Sequence, residues 1–263
     1  MSGCRSLLYV LVLMCVPIRR IESVCLVLWD PELCHDGNLT LFPQRGVESP
    51  ACLDGSDYGV YFRGNAKSTK WTVFLEGGGW CYNERDCLAR AVISSPTADA
   101  GQGSSTRWGP TSGCGCMNVN EDGTIDDTCN CLFLPYADGA SFSGYRAEPW
   151  AVKGGGNLTF RGIKNLYAGL DFAEEHGLQK ATDFVLTGGS AGGLSTFIHA
   201  DRVAARVALV APSARIRAAP FTGFFLDHSN FHHTADNYTA KMEYGFRWQS
   251  VPLVNNCGCL ANV

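Results

Sequence analysis

The sequence predicts an α/β fold built on a mostly parallel sheet with helices on both faces, and three observations lead there. Trp71-Thr72-Val73-Phe74-Leu75 and Phe184-Val185-Leu186-Thr187 are short runs with the length and composition of buried strands. Ile163, Leu166, Tyr167 and Leu170 recur at i, i+3, i+4 and i+7, a helical stripe that Gly177 stops. Helix, strand, tight turn and helix then follow one another through residue 198, the order of a parallel α/β sheet.

From the start of the chain, Arg5 and the apolar run Leu7 to Val16 read as a secretory signal peptide. The run is too short for a stable membrane span. Cleavage near Ser23 assigns residues 1–24 to the leader and 25–263 to one domain; a retained anchor or a misassigned start is the alternative. Residues 25–56 form an irregular entry segment rich in turn signals. The strand at 71–75 feeds the glycine-rich loop Glu76-Gly77-Gly78-Gly79-Trp80. Residues 94–131, dense in Gly, Ser, Asp and Cys, read as a Cys-rich surface insertion. Leu132-Phe133-Leu134 is a further strand, followed by the loop Asp138-Gly139-Ala140-Ser141-Phe142. After the strand at 184–187 a new helix starts at Ala191, with Leu194, Phe197 and Ile198 expected on its inward face. No internal repeat or linker divides the chain.

Composition narrows the function classes. In 263 residues, 46% are hydrophobic and 17% charged, which excludes a disordered chain. The formal net charge is −4 and no basic run occurs, so nucleic acid is not an expected partner. Thirteen cysteines point to an oxidising compartment and disulfides. Their odd number leaves at least one without a partner in this sequence. Sequons at Asn38, Asn157 and Asn237 are glycosylation candidates and fit a secreted protein, extracellular or in a cell wall.

Gly188-Gly189-Ser190-Ala191-Gly192 fits G-x-S-x-G. A serine that attacks a carbonyl must stand proud of the carboxyl end of a strand, on a turn so tight that larger flanking side chains would collide with their neighbours. Ser190 sits there, at a helix start where backbone N–H groups favour developing negative charge. It is the candidate catalytic nucleophile. The oxyanion that forms needs N–H donors from a second loop as well. The glycines after the strand at 71–75 let backbone approach a substrate oxygen closely, so Gly78, Gly79 and Ala191 are the oxyanion-hole candidates. No Lys-Ser/Thr follows the glycines, which rejects a phosphate-binding loop.

Four motifs in order resemble the pectin acetylesterase family, which also includes the animal esterase Notum. They are Leu75-Glu76-Gly77-Gly78-Gly79-Trp80-Cys81, Asp138-Gly139-Ala140-Ser141-Phe142, Gly189-Ser190-Ala191-Gly192-Gly193-Leu194 and Gly223-Phe224-Phe225-Leu226-Asp227. The resemblance runs from about Cys52 to about Ser250. It implies an α/β-hydrolase-like fold, a Ser-His-Asp triad, and neither cofactor nor metal. It implies Ser190 as nucleophile, Gly78, Gly79 and Ala191 as oxyanion donors, and a Cys81–Cys87 disulfide, whose short loop is also plausible on its own. The family's Asp and His are expected beyond Val263, so the C-terminal part of the domain is expected to be missing from this sequence. The insertion around Cys114, Cys116, Cys129 and Cys131 departs from the family pattern.

Other constellations are weighed beside this. Trp80, Tyr82, Trp108, Phe142 and Trp150 lie in or near predicted loops; Trp80, Tyr82, Ser141, Phe142 and Asp227 are the substrate-pocket candidates. Asp227 reads as structural or pocket-lining, and His232 and His233 as surface residues. His199, nine residues after Ser190, is expected to point away from it. The cysteine spacing in the insertion is wrong for zinc. Asn118, Asn120, Asp122 and Asp126 resemble the start of a calcium loop, but position 12 is Cys129 where a bidentate Glu belongs. An acidic surface turn is the plainer reading. The expected activity is hydrolysis of a carboxylic ester on an acetylated polysaccharide such as pectin, with a lipid-acylated protein as the alternative substrate. The alternative in another class is a catalytically incomplete remnant or a carbohydrate-binding protein. A complete domain of this kind is expected to be a monomer.

Overall fold

The computed structural model describes residues 37–46, 48–92, 102–112, 118–119, 125–126, 128–226 and 238–251; the expected leader lies outside them. In chain order the strands and helices are β1 (Gly37–Leu41), β2 (Gly59–Arg63), β3 (Lys70–Leu75), α1 (Glu84–Ala91), β4 (Thr111–Ser112), β5 (Asn118–Val119), β6 (Ile125–Asp126), β7 (Asn130–Leu134), β8 (Trp150–Ala151), β9 (Asn157–Leu158), α2 (Gly162–Glu175), β10 (Asp183–Gly189), α3 (Ala191–Val210), β11 (Arg215–Phe221) and α4 (Tyr238–Trp248).

Among the described residues the main sheet runs β11-β10-β3-β7-β2-β1-β4. Its parallel core is β11, β10, β3 and β7. β2, β1 and β4 extend one side with antiparallel pairing. This is the α/β architecture expected from the sequence. The register has a functional consequence: Leu75 lies opposite both Gly188 and Leu134. Three neighbouring strands therefore end together, and the loops after β3, β7 and β10 leave from one edge of the sheet.

β3 is buried from Trp71 to Leu75, which is why it reads as an unbroken β-rich run. Trp71, Val73 and Leu75 share a core with Leu132, Leu134, Phe184 and Leu186, and this core also receives Leu166 and Leu170 of α2 and Val203 and Val207 of α3. On the other face Phe74 stacks on Phe133 with ring centroids 5.5 Å apart. Trp108 packs beside them. The predicted stripe of α2 is buried at Ile163, Leu166 and Leu170. Gly177, at φ +104°, takes the left-handed position after the helix. Inside α2, the buried Asn165 accepts from Ala51 N–H and donates to Ala51 O, both at 3.0 Å. That fixes the entry segment to the core.

α3 differs from expectation. Its buried face is Gly192, Gly193, Ser195, Thr196, His199, Val203 and Val207. Phe197 is exposed, and Leu194 and Ile198 are only half-buried. The cause is close backbone approach: a Cβ on Gly193 would lie 2.5 Å from Phe221 O. Only small side chains fit there, so the large apolar ones turn outward. The entry segment also contains a strand, β1, paired to β2 in a register from Asn38↔Phe62 to Leu41↔Gly59. Of the region expected as an insertion, Thr111–Ser112 join the sheet edge and Asn130 and Cys131 belong to β7.

Candidate active site

Ser190 connects β10 to α3 with φ +54° and ψ −119°. A serine reaches that backbone region at a cost of ~1–3 kcal/mol. The surroundings hold it there: its N–H donates to Phe221 O at 3.1 Å and to Thr222 Oγ1 at 3.0 Å. Its flanks have no space for side chains. A Cβ on Gly188 would lie 2.5 Å from Gly192 O, and one on Gly192 would lie 2.0 Å from Leu75 O. The turn thus demands glycine two residues either side, while Ser190 itself is exposed.

The loop after β3 lies directly on this turn. A Cβ on Gly77 would meet Gly189 O at 2.2 Å and Ala191 N at 3.1 Å. Gly78 and Gly79 have φ of +153° and +71°. So Gly78, Gly79 and Ala191, the three predicted oxyanion donors, belong to two backbone segments in contact. Behind the loop the Gln102 amide donates to Gly77 O at 3.4 Å and accepts from Arg90 at 3.3 Å. No sequence signal marked Gln102, which lies in the irregular stretch read as an insertion.

The loop after β7 is the third component. Ser141 Oγ accepts from Trp80 Nε1 at 2.8 Å and donates to Ala191 O at 2.8 Å. The Tyr136 hydroxyl donates to Gly79 O at 2.8 Å and accepts from Ser141 N–H at 2.9 Å. Ser141 and Phe142, expected as pocket candidates, are each 1% exposed and lie in the interior. Both have positive φ, +54° and +56°. The buried Asp138 carboxylate holds that bend, accepting from the N–H groups of Ala140, Phe142 and Gly144 at 3.2 Å each. Desolvation nonetheless raises the Asp138 carboxyl above its ordinary value.

Two further ionisable groups sit under the loops. Glu76 accepts from Tyr136 N–H at 2.7 Å, and burial pushes its carboxyl up to about 7. His199 is fully buried, with Nε2 3.2 Å from both Ser141 O and Ser143 Oγ. A carbonyl only accepts, so Nε2 of the ring carries a proton. Burial, then the nearby Arg202 charge, holds it down to about 3. His199 supports the Ser141 loop from inside.

The other predicted aromatics are scattered. Trp80 meets Phe225 and Tyr238 with centroids 4.8 and 5.7 Å away. Tyr82 faces Lys241, Trp108 packs on Tyr58, and Trp150 on Trp248. Only Trp80 adjoins the Ser190 turn through the contacts described. Asp227, Asn237, Asn120, Asp122, His232 and His233 lie outside the described residues. Asn38 and Asn157 are exposed. Asn118 and Asp126 pair across the β5–β6 ladder. Among the described residues no group of three or more His, Cys, Asp or Glu could hold a metal ion, and no helix is long and apolar enough to cross a membrane. Cys81 and Cys87 form the disulfide that the resemblance implies.

The pectinacetylesterase family model matches residues 33–249. Human palmitoleoyl-protein carboxylesterase NOTUM is 29% identical over 189 residues, covering 71% of this chain and 36% of the relative. Pectin acetylesterase 5 of Arabidopsis thaliana is 37% identical over 152 residues, 57% of this chain and 34% of the relative. The chain thus spans about a third of the length of these curated relatives. A solved structure of the Wnt deacylase Notum from Drosophila superposes with a TM-score of 0.69 at 24% identity, covering 85% of this chain and 64% of that one. That likeness supports an α/β-hydrolase-like fold.

Proposed function

The chain belongs to the pectinacetylesterase family, and from that membership we propose that it is a secreted serine carboxylesterase with Ser190 as nucleophile. The observation that carries this reading is how closely Gly77 approaches the nucleophile turn, where a Cβ would come within 3.1 Å of Ala191 N, beside an exposed serine held at positive φ. Ser190 Oγ attacks the ester carbonyl and loses its proton to a histidine base outside the described residues. Gly78, Gly79 and Ala191 N–H groups stabilise the oxyanion, each typically worth ~3 kcal/mol in the transition state. The C–O bond then breaks, the alcohol leaves with the proton from the base, and water hydrolyses the acyl-enzyme.

The favoured substrate is an acetylated polysaccharide such as pectin. The aromatic group Trp80, Phe225 and Tyr238 supports a second reading, a lipid-acylated protein, because it sets apolar surface next to the turn. Exposed Asn38 and Asn157 are the proposed glycosylation sites, in keeping with secretion. The test is release of nitrophenol from nitrophenyl acetate by the chain and by Ser190→Ala. Turnover lost in the variant supports the reading, and equal rates for the two end it.

A further inference from the structure

The Ser141 hydroxyl spends its one proton and one lone pair on two different loops. It donates to Ala191 O in the nucleophile turn and accepts from the Trp80 indole in the loop after β3. The Tyr136 hydroxyl does the same one step away, donating to Gly79 O and accepting from Ser141 N–H. The four bonds form one chain: Gly79 carbonyl, Tyr136 phenol, Ser141, then Ala191 carbonyl and Trp80 ring. Each is 2.8–2.9 Å. The anchored carbonyls belong to the Gly79–Trp80 and Ala191–Gly192 peptide units, each planar and next along the chain from a donor N–H, so fixing them restricts the backbone that carries the Gly79 and Ala191 donors.

We infer that Ser141 and Tyr136 are positioning residues that lock the Gly77–Trp80 loop to the Ser190 turn and so set the spacing of the oxyanion donors. Neither is expected to touch substrate, since both are buried to 1% exposure. The surroundings are built for this task. Ser141 adopts φ +54°, a strained position for a serine, and His199 Nε2–H and Asp138 secure the same bend from behind. A Ser141 hydroxyl wanted only for packing would not need bonds to two separate loops. The inference rests on reading Ser190 and this loop as the esterase site.

The test uses the full chain and three variants. Ser141→Gly removes the hydroxyl and tolerates the positive φ. Tyr136→Phe removes one oxygen and keeps the ring. Tyr61→Phe is the control: it too removes one phenol oxygen, but that hydroxyl donates to Gly109 O and bonds none of the three loops of the site. Amide hydrogen exchange of peptides spanning residues 77–80 and 190–193 is read beside kcat, KM and melting temperature. Ser141→Gly and Tyr136→Phe are expected to speed exchange in residues 77–80 and lower kcat by about 10- to 100-fold. KM should stay within about twofold. The double variant should lose less than the product of the single losses, because both act on one chain of bonds. Tyr61→Phe should match the parent. Parent-like exchange at 77–80 in both test variants overturns the inference. Exchange needs no turnover, so a chain whose ester hydrolysis is unaffected by Ser190→Ala sinks the esterase reading alone, while exchange still decides the positioning claim. Should Ser141→Gly fail to fold, Tyr136→Phe carries the decision.

Discussion

Gly192, in the first turn of α3, faces the carbonyl of Leu75 so closely that a Cβ would come within 2.0 Å of that oxygen. The atoms it would meet are backbone atoms of the central strand and of the first residue of the glycine-rich loop, Glu76 O at 2.7 Å. Neither can move without displacing the sheet. Gly192→Ala is therefore expected to destabilise the fold by at least the ~1–3 kcal/mol of an overpacked core. Denaturant melts measure it, and a midpoint equal to the parent contradicts the account. By contrast Gly154→Ala, at a position with nothing within 4 Å, should cost no more than its positive φ requires.

Ser190 holds its backbone at φ +54° for the sake of where its hydroxyl points. Replacing it by glycine should relieve that strain and remove the nucleophile together. Ser190→Gly is expected to gain about 1 kcal/mol, a melting rise of about 2–4 °C. Ser190→Ala keeps a Cβ and should gain nothing comparable. Calorimetry of the two variants distinguishes them, and equal melting temperatures would count against stored strain.

Glu76 and His199 give opposite pH dependences. Burial holds the Glu76 carboxyl at about 7, so the folded chain keeps a proton that the unfolded chain, at an ordinary 4.5, has released. Its contribution is fully present below about pH 4.5 and is lost as pH rises through about 7. His199 is held down to about 3 from 6.5. Its contribution is fully present above about pH 6.5 and is lost as pH falls towards 3. The two slopes oppose one another between about pH 4.5 and 6.5. Glu76→Gln should lose less stability than the parent between pH 5 and pH 8. Superimposable melting profiles across that range would show that Glu76 does not titrate there.

Asn165 secures both polar groups of the Ala51 backbone. In Asn165→Ala a buried N–H and C=O both lose their partner, at a cost of about 2–4 kcal/mol. The Cys81–Cys87 bridge ties the segment ahead of α1 to Cys87 inside that helix. Its removal by paired serine substitution should cost about 2 kcal/mol on chain-entropy grounds. Urea midpoints of the two variants check both figures, and a parent-like midpoint for Asn165→Ala would mean that water replaces the amide.

The sequence was most legible where burial is uniform. The strand runs at 71–75, 132–134 and 184–187 lie within β3, β7 and β10, lengthened by one to three residues. The α2 stripe and its Gly177 stop are as read, because both follow from local geometry alone. β1, β11 and α4 were not foreseen. β11 is mostly exposed and ends in Pro220-Phe221, so it carries no buried-strand signature; only its parallel register with β10 makes it a strand. The spacing of Leu194, Phe197 and Ile198 points the wrong face of α3 inward, since periodicity cannot reveal that a helix start lies against backbone. The elbow and its glycine loop were visible because steric exclusion dictates their residue types. The motif marks Ser141 and Phe142, but not their place in the interior. Hydrogen bonds to carbonyls of other loops leave no trace in composition or spacing.

β3 receives β7 on one side and the much later β10 on the other. Until that second pairing closes, the turn bearing Ser190 has no partner loop. Competence should thus appear in a single step during refolding, late and together with the last native tertiary signal.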